Sequence, residues 1–391
     1  MVKFSDIIRN DFKDGQEAER EGDKLRFSSL EVKEGTEKEG EDTLLNFASL
    51  DIKDGESAEK EDSSSRFSGI EELVTSPDAA VPLEQKDTEQ IEQLYSTLVD
   101  YLGEVRKRVD NNERFDIRQA VDTVNHIINT PDLIEKFYQS TTLSSYNHNN
   151  EDYLITHLIN VMIYSLKIGS GLKYSREELL ELGLSALLYD IGFFKIPEAI
   201  TKKVGRLTET ELHTIKKHTE IGKDILSKFN AQYPMMARTA YEHHERKNGS
   251  GYPAGLKDNA ICEYAIIIGL TETFDAMIHN RPHRKALEQS FSVKELIVSK
   301  NSLFSAKLIK VFLDEMGIFP VGSYVRLNNM ETGRVISNSK IHPLKPTVKV
   351  MFNNHGEKLP EETIIKLEGH PVLYVTAAVS KEDLYKEKEH N

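Results

Sequence analysis

Apolar residues recur every three or four positions along most of the chain, and the spacing shortens to two near its end. Ile91, Leu94, Tyr95, Leu98, Tyr101 and Leu102 fall on one stripe of a helix starting near residue 87. Ile117, Ala120, Val121, Val124, Ile127 and Ile128 make a second stripe. Thr130-Pro131-Asp132 opens a third helix to about Tyr138, since proline suits the first helical turn. These predict a helical subdomain over 87–148, packed against the helices C-terminal to it. Helical spacing continues over 150–315, broken at Gly169-Ser170-Gly171, Ile196-Pro197, Tyr233-Pro234 and 249–253. Beyond Pro320 the period is two, and 324–327, 333–336, 348–352, 363–367 and 373–376 read as short strands. They predict a small antiparallel β extension over 320–378. The expected class is mainly α: a helical bundle with an N-terminal helical subdomain and a β extension at the C-terminus.

The first 80 residues obey neither period. Arg26-Phe27-Ser28-Ser29-Leu30 matches Asn46-Phe47-Ala48-Ser49-Leu50, and Arg66-Phe67-Ser68-Gly69-Ile70 starts a third copy at the same interval. Phe4-Ser5-Asp6-Ile7 begins a fourth, offset by three residues. Each unit carries too few apolar residues to stack into a solenoid core. Residues 1–80 hold 22 Asp and Glu against 11 Lys and Arg, so ordering them costs more entropy than burial returns. Residues 1–82 therefore read as a disordered acidic tail with repeated Phe-Ser-x-Leu motifs, ending in a linker over 76–82. If the motifs bind a partner, repetition raises avidity; the alternative is a solubilising tail that grew by duplication.

The net charge of −14 argues against binding a nucleic-acid polymer or an anionic membrane. One cysteine, Cys262, permits no intrachain disulfide, which fits a reducing, cytoplasmic setting. No run of about 18 apolar residues predicts a membrane span, and the N-terminus lacks a signal-peptide core.

Five residues carry candidate chemistry: His157, Asp190, His218, His243 and His244, each in or beside a helical stretch. Imidazoles with a carboxylate suit a borderline ion such as iron, manganese or zinc, and metal ions activate water against a phosphodiester. Spacing alone does not bring these residues together. A single histidine is more often an ordinary one, and His213, His279 and His283 read that way.

The segment 242–256, Glu242-His243-His244-Glu245 through Gly249-Ser250-Gly251-Tyr252-Pro253-Ala254-Gly255-Leu256, resembles the signature of the HD-GYP family. Its order relative to Leu188-Tyr189-Asp190-Ile191-Gly192, Lys217-His218 and Thr273-Phe274-Asp275-Ala276-Met277 is also the family's. The resemblance covers about 150–375 and implies an HD-type helical bundle over 150–315. It implies a phosphodiesterase acting on cyclic-di-GMP through a divalent transition metal, iron or manganese. By motif position, His157 matches the first histidine ligand and Asp190 the bridging, catalytic aspartate. His218, His243 and His244 match the histidines that, with that aspartate, hold one metal.

Several positions depart from the pattern. Tyr189 replaces the histidine of the His-Asp pair, and Glu272 stands where an aspartate ligand is usual. Tyr is a poor ligand for a divalent ion because its pKa lies near 10. Tyr153 stands where some members place a third-metal glutamate, so one or two ions are expected. Phe193 replaces the lysine after Asp-Ile-Gly, with Lys195 two residues on, and Asn248 replaces the loop aspartate. Losing a cation beside a reacting phosphate removes charge stabilisation. Gly251 and Tyr252 match the ligand-contacting loop, while Arg281 and Arg284 resemble a phosphate-clamping pair. Expected partners are cyclic-di-GMP and GGDEF-type or other signalling proteins, reached through the Gly-Tyr-Pro loop or the repeats. The resemblance and its departures support two main readings: a slow cyclic-di-GMP phosphodiesterase, or an inactive receptor or scaffold that keeps the fold. Hydrolysis of another nucleotide is a third, disfavoured by the Gly-Tyr-Pro loop.

Overall fold

A computed structural model of the chain describes residues 30–31, 51–52, 85–130, 132–143, 153–203, 205–279, 287, 289–298, 303–339 and 342–379. The tail expected over 1–82 lies outside these residues, apart from an antiparallel pairing of β1 (Leu30–Glu31) with β2 (Asp51–Ile52). Arg281 and Arg284 lie outside them as well. The described residues from 85 on form two compact units, one over 85–322 and the other over 323–379. No described helix is long and apolar enough to cross a membrane.

The first unit is helical. Its elements are α1 (Gln85–Asp110), α2 (Arg118–Asn129), α3 (Leu133–Leu143), α4 (Tyr153–Gly171), α5 (Arg176–Leu188), α6 (Glu198–Thr201), α7 (Glu209–Lys216), α8 (His218–Leu226), α9 (Pro234–Glu242), α10 (Glu263–Ile278), α11 (Gln289–Val298) and α12 (Ala306–Met316). Capping boxes start α5 at Ser175 with Glu178 and α7 at Thr208 with Glu211, each satisfying backbone N–H groups the first turn leaves open. One hydrophobic core runs from Ile91 in α1 to Val321, so the helices of 87–148 share it with the rest of the unit.

Two helices lie at the centre of that core. Almost every residue of α4 from Ile155 to Gly169 is buried, as is α10 from Ala265 to Ile278 apart from Ile266. Both are apolar on nearly all sides, the composition of a core helix rather than a surface one. Polar side chains on them are therefore costly unless paired, which makes His157, Asn160, Glu272 and Asp275 informative. The buried run Leu182–Leu188 of α5 leads directly into Tyr189 and Asp190 and then a 3-10 turn, Ile191–Lys195. Gly192 is required there: a Cβ would lie 2.0 Å from the carbonyl oxygen of His218.

The second unit is a five-stranded antiparallel sheet in the order β6-β5-β4-β3-β7. Its strands are β3 (Tyr324–Leu327), β4 (Thr332–Ser337), β5 (Thr347–Phe352), β6 (Lys358–Lys366) and β7 (Val375–Val379). Val325, Leu327, Val335, Val348, Val350 and Phe352 are buried in alternation with more exposed neighbours. The last strand starts later than the expected 373–376. Asn328 donates to the Val372 carbonyl and accepts from the Tyr374 N–H, holding 372–374 as a loop before pairing resumes.

Candidate metal centre

His218 opens α8, and His243 and His244 come directly after the last turn of α9. Small residues let these segments approach: a Cβ on Gly222 would meet Ala240 Cβ and the Tyr189 carbonyl, each at 3.4 Å. The three imidazoles are buried, and one nitrogen from each lies within 4.8 Å of the others. His218 Nδ1 donates to the Ile215 carbonyl at 2.6 Å, and His243 Nδ1 donates to the Ala240 carbonyl at 3.0 Å. These bonds fix the tautomers, since a carbonyl only accepts. The Nε2 atoms are thereby left facing each other at 3.2 Å. Asp190 Oδ1 stands 3.3 Å from His218 Nε2 and 3.9 Å from that of His243.

Protons cannot readily relieve this convergence of lone pairs. Burial pushes His218 down to about 3. Burial, with the neighbouring histidines and Arg246, holds His243 and His244 well below the ordinary histidine value. His244 Nδ1 is buried without a hydrogen-bond partner, and its Nε2 lies 3.9 Å from Glu272 Oε1. Neutral imidazoles with bare nitrogens beside a carboxylate fit a divalent transition ion.

His157 is tied differently. Its Nδ1 donates to Asp275 Oδ2 at 2.6 Å, and its Nε2 shares a hydrogen bond with the Tyr189 hydroxyl at 2.8 Å. Asp275 also accepts from Asn160 at 3.0 Å and from His279 Nδ1 at 2.9 Å. Burial works against ionising Asp275, but His279 and His157 outweigh it and hold the carboxyl well below the usual carboxylate range. Burial, reinforced by Glu272, Asp190 and Asp275, pushes the Tyr189 phenol well above its usual range, so it stays a neutral donor. The Tyr189 ring packs edge-on against both His157, at 6.3 Å between centroids, and His243, at 4.8 Å. Tyr153 stacks on His157 at 5.7 Å.

The glycine loop folds back over the histidine pair. A Cβ on Gly251 would lie 2.4 Å from the His244 carbonyl oxygen, so only glycine allows this approach. Glu245 accepts from the N–H groups of Ala254, Gly255 and Leu256 at 2.7–3.0 Å, fastening the loop's far end. The Tyr252 ring stacks on His244 at 4.5 Å and carries the Lys216 ammonium at 4.6 Å from its centroid. Phe193 packs on the His218 ring at 4.3 Å, and Lys195 donates instead to the Asp110 carbonyl, away from the histidines.

Sequence reasoning singles out His157, Asp190, His218, His243, His244, Glu272, Gly251 and Tyr252. The structure brings the last three histidines, Asp190 and Glu272 to one place, and sets His157 behind Tyr189. Motif reasoning does not single out Asp275, Asn160, Glu245 or Lys216. Asn160 lies three residues after His157, and Asp275 three after Glu272, offsets that put each pair on one helix face. His279, which reads as ordinary in the sequence, is bound to Asp275.

Residues 133–308 match the family described as HD domain, and 324–387 match one described as KOW domain associated with HD domain. The helical unit is thus similar to HD domains, and the sheet to the small β module associated with them. It is 27% identical over 216 residues to a cyclic di-GMP phosphodiesterase of Pseudomonas aeruginosa, covering 55% of this chain and 52% of that protein. A cyclic di-GMP phosphodiesterase of Thermotoga maritima is 38% identical over 160 residues, 40% of this chain and 43% of its own. A 3'3'-cGAMP-specific phosphodiesterase of Vibrio cholerae is 32% identical over 154 residues, 39% of this chain and 33% of its own. The chain thus spans about half the length of the first of these relatives, and less of the others.

Proposed function

We propose that the HD domain binds cyclic-di-GMP at a centre holding one divalent ion, iron or manganese, and hydrolyses it slowly. The observation that carries this reading is the convergence of His218, His243, His244 and Asp190 with their ring nitrogens bare. These four residues hold the ion, with Glu272 beside His244. When bound, such an ion supplies a Lewis acid for the phosphate and lowers the pKa of water. The chain's own groups do the rest. The Nδ1 bonds to Ile215 and Ala240 keep the imidazoles oriented. Tyr252, placed on His244 by the Gly251 turn, offers a ring face to a base or sugar. The Tyr189 hydroxyl fills the nitrogen of His157 that would face a second ion, so the centre is mononuclear.

A non-hydrolysing cyclic-di-GMP receptor is the second reading, favoured by Phe193 on His218 where a phosphate-stabilising cation would otherwise stand. Incubating the full chain with cyclic-di-GMP and manganese, and resolving products by chromatography, separates the two. A linear dinucleotide or GMP that disappears in His243→Ala supports hydrolysis. Calorimetric binding without product supports the receptor, and neither binding nor product overturns both.

A further inference from the structure

A cyclic dinucleotide carries two phosphate charges, and the lysine expected after Asp190-Ile191-Gly192 is replaced here. Phe193 occupies the loop position after Asp190-Ile191-Gly192 and packs against His218. Lys195 is committed to the Asp110 carbonyl at 2.9 Å. Another cation stands beside the glycine loop. Lys216 ends α7, one residue before the break that precedes His218. Its ammonium lies 4.6 Å from the centre of the Tyr252 ring, which itself stacks on His244. Among the described residues no carboxylate pairs with it, and it is half-buried. An aromatic face holds an ammonium by its quadrupole without neutralising the charge, so Lys216 keeps a full charge one ring away from the histidine cluster.

We propose that Lys216 is the cation that binds a phosphate of the dinucleotide, replacing the charge lost at Phe193. This rests on the reading of the site as a cyclic-dinucleotide site. Lys216 would touch the substrate's phosphate oxygens, while Tyr252 orients the ammonium and takes the adjacent base or sugar. An ammonium on a flexible stem suits this placement better than a rigid fork, because it reaches its partner as a point charge.

The test is calorimetric binding of cyclic-di-GMP to the full chain, its Lys216→Met variant and its Lys216→Arg variant, each at two salt concentrations. Lys216→Met is expected to weaken binding about tenfold and flatten its salt dependence, with Lys216→Arg within about threefold of the parent. Loss of a merely structural contact to Tyr252 would weaken binding without changing the salt dependence, and that result overturns the proposal. So does a Lys216→Met chain that binds as the parent does, while leaving the cyclic-di-GMP reading intact. A parent chain that binds no cyclic dinucleotide overturns both.

Discussion

On one side of Asp190, three imidazoles converge, two of them holding their Nδ1 protons on backbone carbonyls and turning bare nitrogens inward. On the other side, a fourth imidazole is bound at both nitrogens, by Asp275 and by the Tyr189 hydroxyl. Both regions are buried, and both set imidazoles beside a carboxylate. The difference between them is whether the lone pairs are already met by protons. The His157 side is a closed hydrogen-bond network around one ionised carboxylate. On the His218 side the acceptors face one another, an arrangement that a cation would complete. The Tyr189 hydroxyl is the group that meets the second nitrogen of His157.

The contrast can be broken most severely on the histidine side. His243→Ala removes one bare nitrogen and should cut metal content and turnover together, by on the order of 100-fold in rate, read by metal analysis beside a product assay. On the closed side the cost should fall on folding instead. Asp275→Ala leaves His157, Asn160 and His279 without their shared acceptor and is expected to lower unfolding free energy by roughly 3–5 kcal/mol in denaturant titration. Gly251→Ala should act through the loop, displacing it from the His244 backbone and weakening cyclic-di-GMP binding about tenfold, read by calorimetry. Tyr189→Phe is the mildest, costing about 1 kcal/mol for one hydrogen bond while leaving metal content unchanged.

The helices and the strand module were legible because both rest on periodicity. The stripe from Ile91 to Leu102 lies inside α1, and the alternation after Pro320 marks the sheet. Periodicity places the strand that starts at Val375 two residues early, since Leu373 and Tyr374 have strand-like side chains and only the contacts of Asn328 show that they form a loop. Within the site, motif words point to His218, His243, His244 and Asp190. They leave open what His157 does, because its partners come from α10 and from the end of α5, far away in sequence. Nor can spacing place Lys216 over Tyr252, a contact that depends on how the glycine loop folds back. The tail repeats and the Arg281–Arg284 segment lie outside the described residues.

The most direct measurement is the metal content of three chains purified identically: the parent, His243→Ala and His157→Gln. One bound ion per chain is expected in the parent, nearly none in His243→Ala, and an unchanged level in His157→Gln. Two ions in the parent, or loss of the ion in His157→Gln, would contradict the division of the centre into an ion-binding half and a closed one.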